Sequence, residues 1–128
     1  MSAQVDVTKA HGVAQGMTVN VVIAVKDPVT LAPVNLTGYQ LEWTLYTSAV
    51  EGRTVLIPAK SATITLADVD GTSDGAVIPL VHNDTMSAAG VELVAPGTWW
   101  HELWRTNAGS ERLLAYGTFV LLPSARRL

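Results

Sequence analysis

The feature that most constrains the fold is a period-two alternation over residues 39–45. Its apolar positions are Tyr39, Leu41, Trp43 and Leu45, and the polar residues Gln40, Glu42 and Thr44 lie between them. Side chains of a β-strand point alternately to opposite sides, so the pattern predicts a strand with one buried and one polar face. Asn35 and Gly38 are turn residues and place a corner before the strand. A tryptophan in the middle of the buried face needs a second sheet to cover it.

Further strand patterns recur along the chain and are separated by turn residues. Strands are predicted over residues 4–8, 17–26, 39–47, 53–57, 62–67, 76–81, 98–106 and 112–122. We expect Pro58 to end its strand at a sheet edge, because proline donates no ladder hydrogen bond. A helical turn over residues 85–89, capped by Asn83 or Asp84, is the one helical element expected. About seven strands with one short helical turn predict an all-β antiparallel sandwich, with a small barrel as the alternative.

The composition excludes several classes of function. The chain has 128 residues and no cysteine, which allows one domain with its own core and excludes disulfides and zinc–thiolate sites. The net charge of −3 argues against binding to nucleic acid, which depends on neutralising phosphates. No apolar run is long enough for a membrane-spanning helix and no signal peptide is recognisable, so we expect a soluble, unsecreted protein without membrane contact. Hydrophobic residues make up 48% of the chain, which favours strands packed on both faces or apolar surface for a protein partner.

The two ends of the chain allow alternative interpretations. We predict an N-terminal arm over residues 1–16 and a single domain over residues 17–128. The arm is either a mobile terminus or a segment that orders only against a neighbouring subunit. Arg126 and Arg127 near the C-terminus are either a solvated end or a clamp on an acidic neighbour.

The order of several motifs resembles a known family. The motifs occupy residues 18–25, 33–39 with Trp43, 75–80, 84–85, 96–99, 102–103 and 117–120. Together they resemble the small Ig-like sandwich domains of tailed-phage virion proteins, such as the N-terminal domain of phage baseplate upper proteins. His101 departs from the pattern, in which tyrosine is more usual, and residues 1–16 have no counterpart.

This resemblance covers residues 17–122 and carries its own implications. It implies an Ig-like β-sandwich that acts as a structural part of a virion, made in the host cytoplasm, without enzymatic activity or cofactor. The implied partners are other phage structural proteins of the capsid or tail, or further copies of the chain as a homo-oligomer. It applies equally to head decoration or spike proteins, neck proteins and tail or baseplate proteins.

Trp100 and Trp104 are the candidate binding residues. Alternation places Trp99 and His101 on one face of their strand and Trp100, Glu102 and Trp104 on the other. Trp100 and Trp104 are four residues apart, which is about 13 Å of strand rise, with Glu102 between them on the same face. Their face is either covered by a loop or by the arm, or it forms an exposed platform for a protein or for a sugar ring. The two hypotheses are therefore a virion protein that binds others through apolar strand surface and its arm, and a carbohydrate-binding module for host attachment.

Catalytic and metal sites are not predicted. The three histidines, His11, His82 and His101, have no spacing typical of a metal site. Asp68, Asp70 and Asp74 lack the downstream glutamate of a calcium loop, so we expect a solvated turn. Glu111 beside Ser110 and the pair Glu42 and Glu102 are candidate groups for hydrolysis, but no serine lies in a nucleophile-elbow pattern.

Overall fold

Two β-sheets make up the computed structural model, which describes residues 3–124 of the chain. The strands are β1 (Ala3–Gln4), β2 (Val19–Ala24), β3 (Leu41–Tyr46), β4 (Val55–Lys60), β5 (Thr65–Ala67), β6 (Gly75–Leu80), β7 (Gly97–Arg105) and β8 (Arg112–Leu121). One sheet has the order β1-β8-β7-β3-β4 and the other the order β2-β6-β5. All pairs are antiparallel except β1 with β8. The predicted all-β sandwich is confirmed.

Trp43 lies fully buried in the core between the two sheets. Its strand β3 pairs with β7 on one side and with β4 on the other. Leu41, Trp43 and Leu45 are all buried, which confirms the predicted face of this strand. The ring of Trp43 contacts Phe119 of β8, with ring centroids 5.8 Å apart. From the three-stranded sheet, the facing core residues are Val21, Ile23, Ala76, Ile78 and Leu80.

The predicted end of a strand at Pro58 is wrong. Pro58 lies inside β4, which runs from Val55 to Lys60. The expected edge position is confirmed, since β4 is the last strand of its sheet. An edge strand has a free side on which a missing N–H can be tolerated, so the strand continues.

The short helical element lies earlier than predicted. Helix α1 spans His82–Thr85 instead of residues 85–89. Asp84 is not the N-cap residue but lies within the helix. Its carboxylate accepts the Val81 N–H at 2.7 Å. This backward hydrogen bond is the one that a carboxylate at the third helical position makes in a capping box.

The polar turn between β5 and β6 is closed by a buried carboxylate. Asp74 has no exposed surface and accepts the Val69 N–H at 2.9 Å and the Asp70 N–H at 3.2 Å. Burial raises the pKa of Asp74, but these main-chain donors outweigh it and lower the pKa below its usual range. The prediction of a fully solvated turn is therefore wrong for Asp74.

The N-terminal arm packs on its own chain. From Val5 onward it follows the edge of β8: Val5 N–H donates to the Tyr116 carbonyl at 2.7 Å, and Val7 N–H to the Thr118 carbonyl at 2.8 Å. Val7 and Val13 are both buried in the main core. Residues 3–16 are therefore ordered against their own domain. This differs from both alternatives, a mobile terminus and a segment that orders only against a neighbouring subunit.

A local irregularity in the arm lies directly over Gly117. In a regular parallel ladder the Val5 carbonyl would accept the Thr118 N–H. Instead Asp6 Oδ1 accepts that N–H at 2.9 Å, and the Val5 carbonyl turns inward to His101 Nε2 at 2.6 Å. A Cβ on Gly117 would collide with the Val5 carbonyl oxygen and with Asp6 Oδ1. Glycine is therefore needed here for the close approach of the arm.

Gly117→Ala is expected to displace the arm. The added methyl group forces the Val5 carbonyl away from His101, at a cost of about 1–3 kcal/mol in the free energy of unfolding. Urea denaturation measures the loss, and limited trypsin digestion measures how readily the chain is cut after Lys9 relative to Lys26. Ser110→Ala, in an exposed turn, is the control. Unchanged stability and unchanged cleavage after Lys9 would show that the arm does not need the space at Gly117.

Candidate functional site

The outer surface of the five-stranded sheet carries a cluster of aromatic side chains, which we call the aromatic face. It consists of Tyr46, Arg53, Trp100, Glu102, Trp104 and Tyr116. The register aligns these residues across neighbouring strands: Glu102 lies opposite Thr44 of β3 and opposite Tyr116 of β8. The cluster therefore lies at the middle of the sheet and not at an edge.

Glu102 holds the aromatic face together. Its carboxylate accepts two hydrogen bonds from the Arg53 guanidinium, at 2.5 and 3.1 Å. It also accepts the indole N–H of Trp100 at 3.0 Å and that of Trp104 at 2.9 Å. The Arg53 guanidinium lies 3.6 Å from the centre of the Tyr46 ring. One carboxylate thus fixes two indoles and a guanidinium in a single arrangement.

Glu102 is charged and almost completely buried. Its side chain is only 8% exposed, although it lies on the outer face of β7. Burial raises the pKa of this carboxyl, but the donors Arg53, Trp104 and Trp100 outweigh it and lower the pKa below its usual range. With four donors on two oxygens, this carboxylate acts as a structural anchor for the aromatic face.

The predicted grouping of Trp100 and Trp104 is confirmed, but the two are not equally accessible. Both lie on the outer face of β7, and Trp104 is 36% exposed. Trp100 is half-buried and stacks on Tyr116, with ring centroids 5.4 Å apart and an angle of 30° between the planes. Neither a bare platform of two free indoles nor a fully covered face describes this surface. Arg126 and Arg127, the other candidates, lie outside the described residues.

His101 has a structural role that sequence reasoning missed. It is fully buried beside Trp43 and Phe119. The Trp43 indole N–H donates to its Nδ1 at 3.0 Å. An indole can only donate, so Nδ1 must be unprotonated, and Nε2 carries the proton that it donates to the Val5 carbonyl. A neutral His101 therefore connects the core to the arm. The one available signal was Gly117, a glycine inside a strand, which marks a close backbone approach.

His101 is expected to make stability fall as the pH drops below about 6.5. Burial lowers the pKa of His101 below 6.5. The unfolded chain then binds more protons than the folded one in this range, so the free energy of unfolding falls as the pH drops below about 6.5, by at most about 1.4 kcal/mol per pH unit. Denaturation measured at successive pH values should show this slope, and His101→Gln should remove it. His11→Gln, at an exposed histidine, should keep the slope. A slope that persists in His101→Gln would show that another group causes the pH dependence.

The described residues also form an open groove. It has a volume of about 400 Å³ and lies between the start of β3 and the segment that leads into β5. Its lining residues are Tyr39, Gln40, Leu41, Ser61, Ala62, Ile64, Leu66 and Thr106. The lining carries no charged side chain and no histidine, and it offers apolar surface, hydroxyl groups and the amide of Gln40.

Within residues 3–124, no three histidine, aspartate or glutamate side chains converge closely enough to hold a metal ion. The same residues include no helix with the length and apolar character to cross a membrane.

No protein-family model matches this chain, and no curated protein sequence matches it either.

Proposed function

We propose that this chain is a non-enzymatic structural protein of a tailed-phage virion that binds a neighbouring virion protein through the aromatic face. The resemblance of its motifs to Ig-like virion domains supports the class, and the sandwich agrees with the fold that the resemblance implies. A head decoration or spike protein and a tail or baseplate component both fit this proposal. The arm, which packs against β8, contributes to the domain itself.

The observation that carries the proposal is the rigid aromatic face. Tryptophan, tyrosine and arginine dominate the binding energy of protein interfaces. Here Trp100, Trp104 and Arg53 are already fixed by Glu102, so little side-chain entropy is left to lose when a partner binds. A preorganised patch of this composition at the centre of a sheet is well suited to a protein partner.

The hydrogen bonds of Glu102 and His101 support a binding function instead of catalysis. Glu102 has a lowered pKa and all its strong acceptor positions are used by side chains, which is unsuitable for a general acid. His101 lies on the opposite face of the sheet, and both its ring nitrogens are already hydrogen-bonded.

The carbohydrate-binding alternative makes different demands on the same residues. Stacking on a sugar needs an open indole face, which partly exposed Trp104 offers. Trp100 is less suitable, because Tyr116 stacks on its ring. The geometry therefore favours a protein partner over a two-tryptophan sugar platform.

The proposal is tested on particles of the phage or prophage that encodes the chain. Particles purified on a density gradient are analysed by quantitative mass spectrometry, and the copy number of the chain is compared with that of the major capsid protein. We expect a fixed ratio that survives a second gradient. Absence of the chain from intact particles would contradict a virion role.

A glycan titration separates the two hypotheses. Tryptophan fluorescence of the purified protein is followed as host surface glycans are added, with Trp104→Ala as the control. We expect no change for the wild-type protein. Saturable quenching that Trp104→Ala abolishes would favour the carbohydrate-binding alternative.

A further inference from the structure

The free edge of strand β2 is exposed and uncharged. No aspartate, glutamate, lysine or arginine occurs over residues 10–25, and β2 contains no proline. On its outer face Val22 is 47% exposed, while Val21 and Ile23 point into the core. Such an edge offers unpaired backbone groups next to apolar side chains, which is the arrangement that pairs with another strand.

The backbone groups available on this edge follow from the ladder with β6. The Val25 N–H bonds to the Asp74 carbonyl, so Val25 faces β6. Hydrogen-bonded positions alternate in an antiparallel pair, which turns the odd-numbered residues of β2 toward β6. The N–H and C=O groups of Asn20, Val22 and Ala24 therefore point away from β6, toward the free edge of the sheet. Within residues 3–124 no other strand pairs with them.

The other sheet edges of the described chain are each protected. β4 contains Pro58 and its register against β3 is broken by irregularities. β5 has three residues and β1 has two. Prolines, irregular pairing and short length are the devices that keep edges from pairing. β2, with six residues, has none of them.

We propose that β2 pairs with β2 of a second copy of this chain in an antiparallel, two-fold symmetric dimer. The two three-stranded sheets then become one continuous six-stranded sheet with the order β5-β6-β2-β2-β6-β5. The pairing closes on itself, because each copy has one such edge, so a dimer forms and not a fibre. This inference does not rest on the proposed function, since the aromatic face lies on the other sheet.

A symmetric register with its axis at Val22 uses all three free even-numbered positions of β2. Centring the two-fold axis on Val22 places Val22 opposite the same residue of the second copy, and Asn20 opposite Ala24. These three pairs form about six inter-strand hydrogen bonds. Lys26, the nearest charged residue, falls opposite Thr18, so no like charges meet across the axis. The edge is therefore complementary to itself in both backbone and side chains.

Two variants of the full-length protein test the proposal through its oligomeric state. Sedimentation at about 100 μM, where a dimer with a Kd of about 10 μM is mostly formed, should show a wild-type dimer. Val22→Lys places two like charges opposite each other and should give a folded monomer. Thr65→Lys adds the same charge to the same sheet face on β5 and should remain a dimer. A monomeric wild-type protein, or a dimer that Val22→Lys leaves intact, would overturn the proposal.

A disulfide tests the register directly. The protein has no cysteine, so Val22→Cys introduces a single thiol. Opposed residues of a hydrogen-bonded pair lie about 5.5 Å apart at Cα, within the span of a disulfide. Mild oxidation should convert most of Val22→Cys to a covalent dimer and leave Thr65→Cys, the control, largely monomeric. Equal cross-linking of the two variants would contradict pairing centred on Val22.

Discussion

Replacing Glu102 by alanine should lower the free energy of unfolding by about 3 kcal/mol. The substitution leaves the Arg53 guanidinium and the indole N–H groups of Trp100 and Trp104 without their acceptor. Breaking a buried ion pair costs more than the pair contributes, because the remaining charge stays partly buried. Arg53 is 25% exposed, so water recovers part of the loss, and the estimate lies at the lower end for such pairs.

Two further variants separate charge from shape at this position. Glu102→Gln keeps the shape but points an amide N–H₂ group at donors, so it should also be destabilising. Glu42→Gln makes the same chemical change on the same sheet face, at a carboxylate without a hydrogen bond or ion pair in the described structure, and should change stability by less than about 0.5 kcal/mol. Urea denaturation measures all three. Equal free energies of unfolding for Glu102→Gln and Glu42→Gln would contradict the role of Glu102 in fixing the aromatic face.

Trp43→Ala should be the most destabilising single change, at about 3–5 kcal/mol. Trp43 has no exposed surface and fills the core against Phe119. The variant opens a cavity and also leaves His101 Nδ1 without its donor. Domains of this size are stable by about 5–15 kcal/mol, so the loss takes much of the total.

A milder variant keeps the Trp43 prediction testable if Trp43→Ala does not fold. Trp43→Phe retains most of the volume and removes the indole N–H, which should cost about 1–2 kcal/mol. Trp104→Ala makes the same truncation at a partly exposed site and should cost about 1 kcal/mol. Chemical denaturation of the three variants measures their free energies of unfolding. A loss for Trp104→Ala as large as that for Trp43→Ala would contradict the account.

The strands that carry the aromatic face could be predicted because their signal is local. Period-two alternation alone places Trp43 in the core and groups Trp100 with Trp104 on one face of β7, and the structure confirms both. Alternation did not decide which face of β7 is buried. Burial of Glu102 could not be predicted, because its partner Arg53 lies 49 residues away and reaches it only across β3. Nothing within β7 itself distinguishes a solvated glutamate from an anchored one.

The arm was less predictable for the same reason. Its pairing with β8 joins residues more than 100 positions apart, and its parallel ladder leaves no turn signature in the sequence. The contact depends on three features that carry meaning only together: the missing side chain at Gly117, the neutral ring of His101 and the inward carbonyl of Val5. The resemblance to virion domains concerns turns and core aromatics, so it carries no information about this contact.

The central claim, that the aromatic face binds a neighbouring virion protein, is tested most directly by incorporation into particles. Particles assembled without the native chain are supplied with wild-type protein, with Trp104→Ala, or with Val29→Ser, which changes an exposed apolar residue in the loop before β3. Loss of an interface hot spot costs about 2 kcal/mol, or about 30-fold in affinity, so Trp104→Ala should be strongly depleted at limiting protein. Val29→Ser should be incorporated like the wild type. Equal copy numbers for folded Trp104→Ala and wild type would contradict the account.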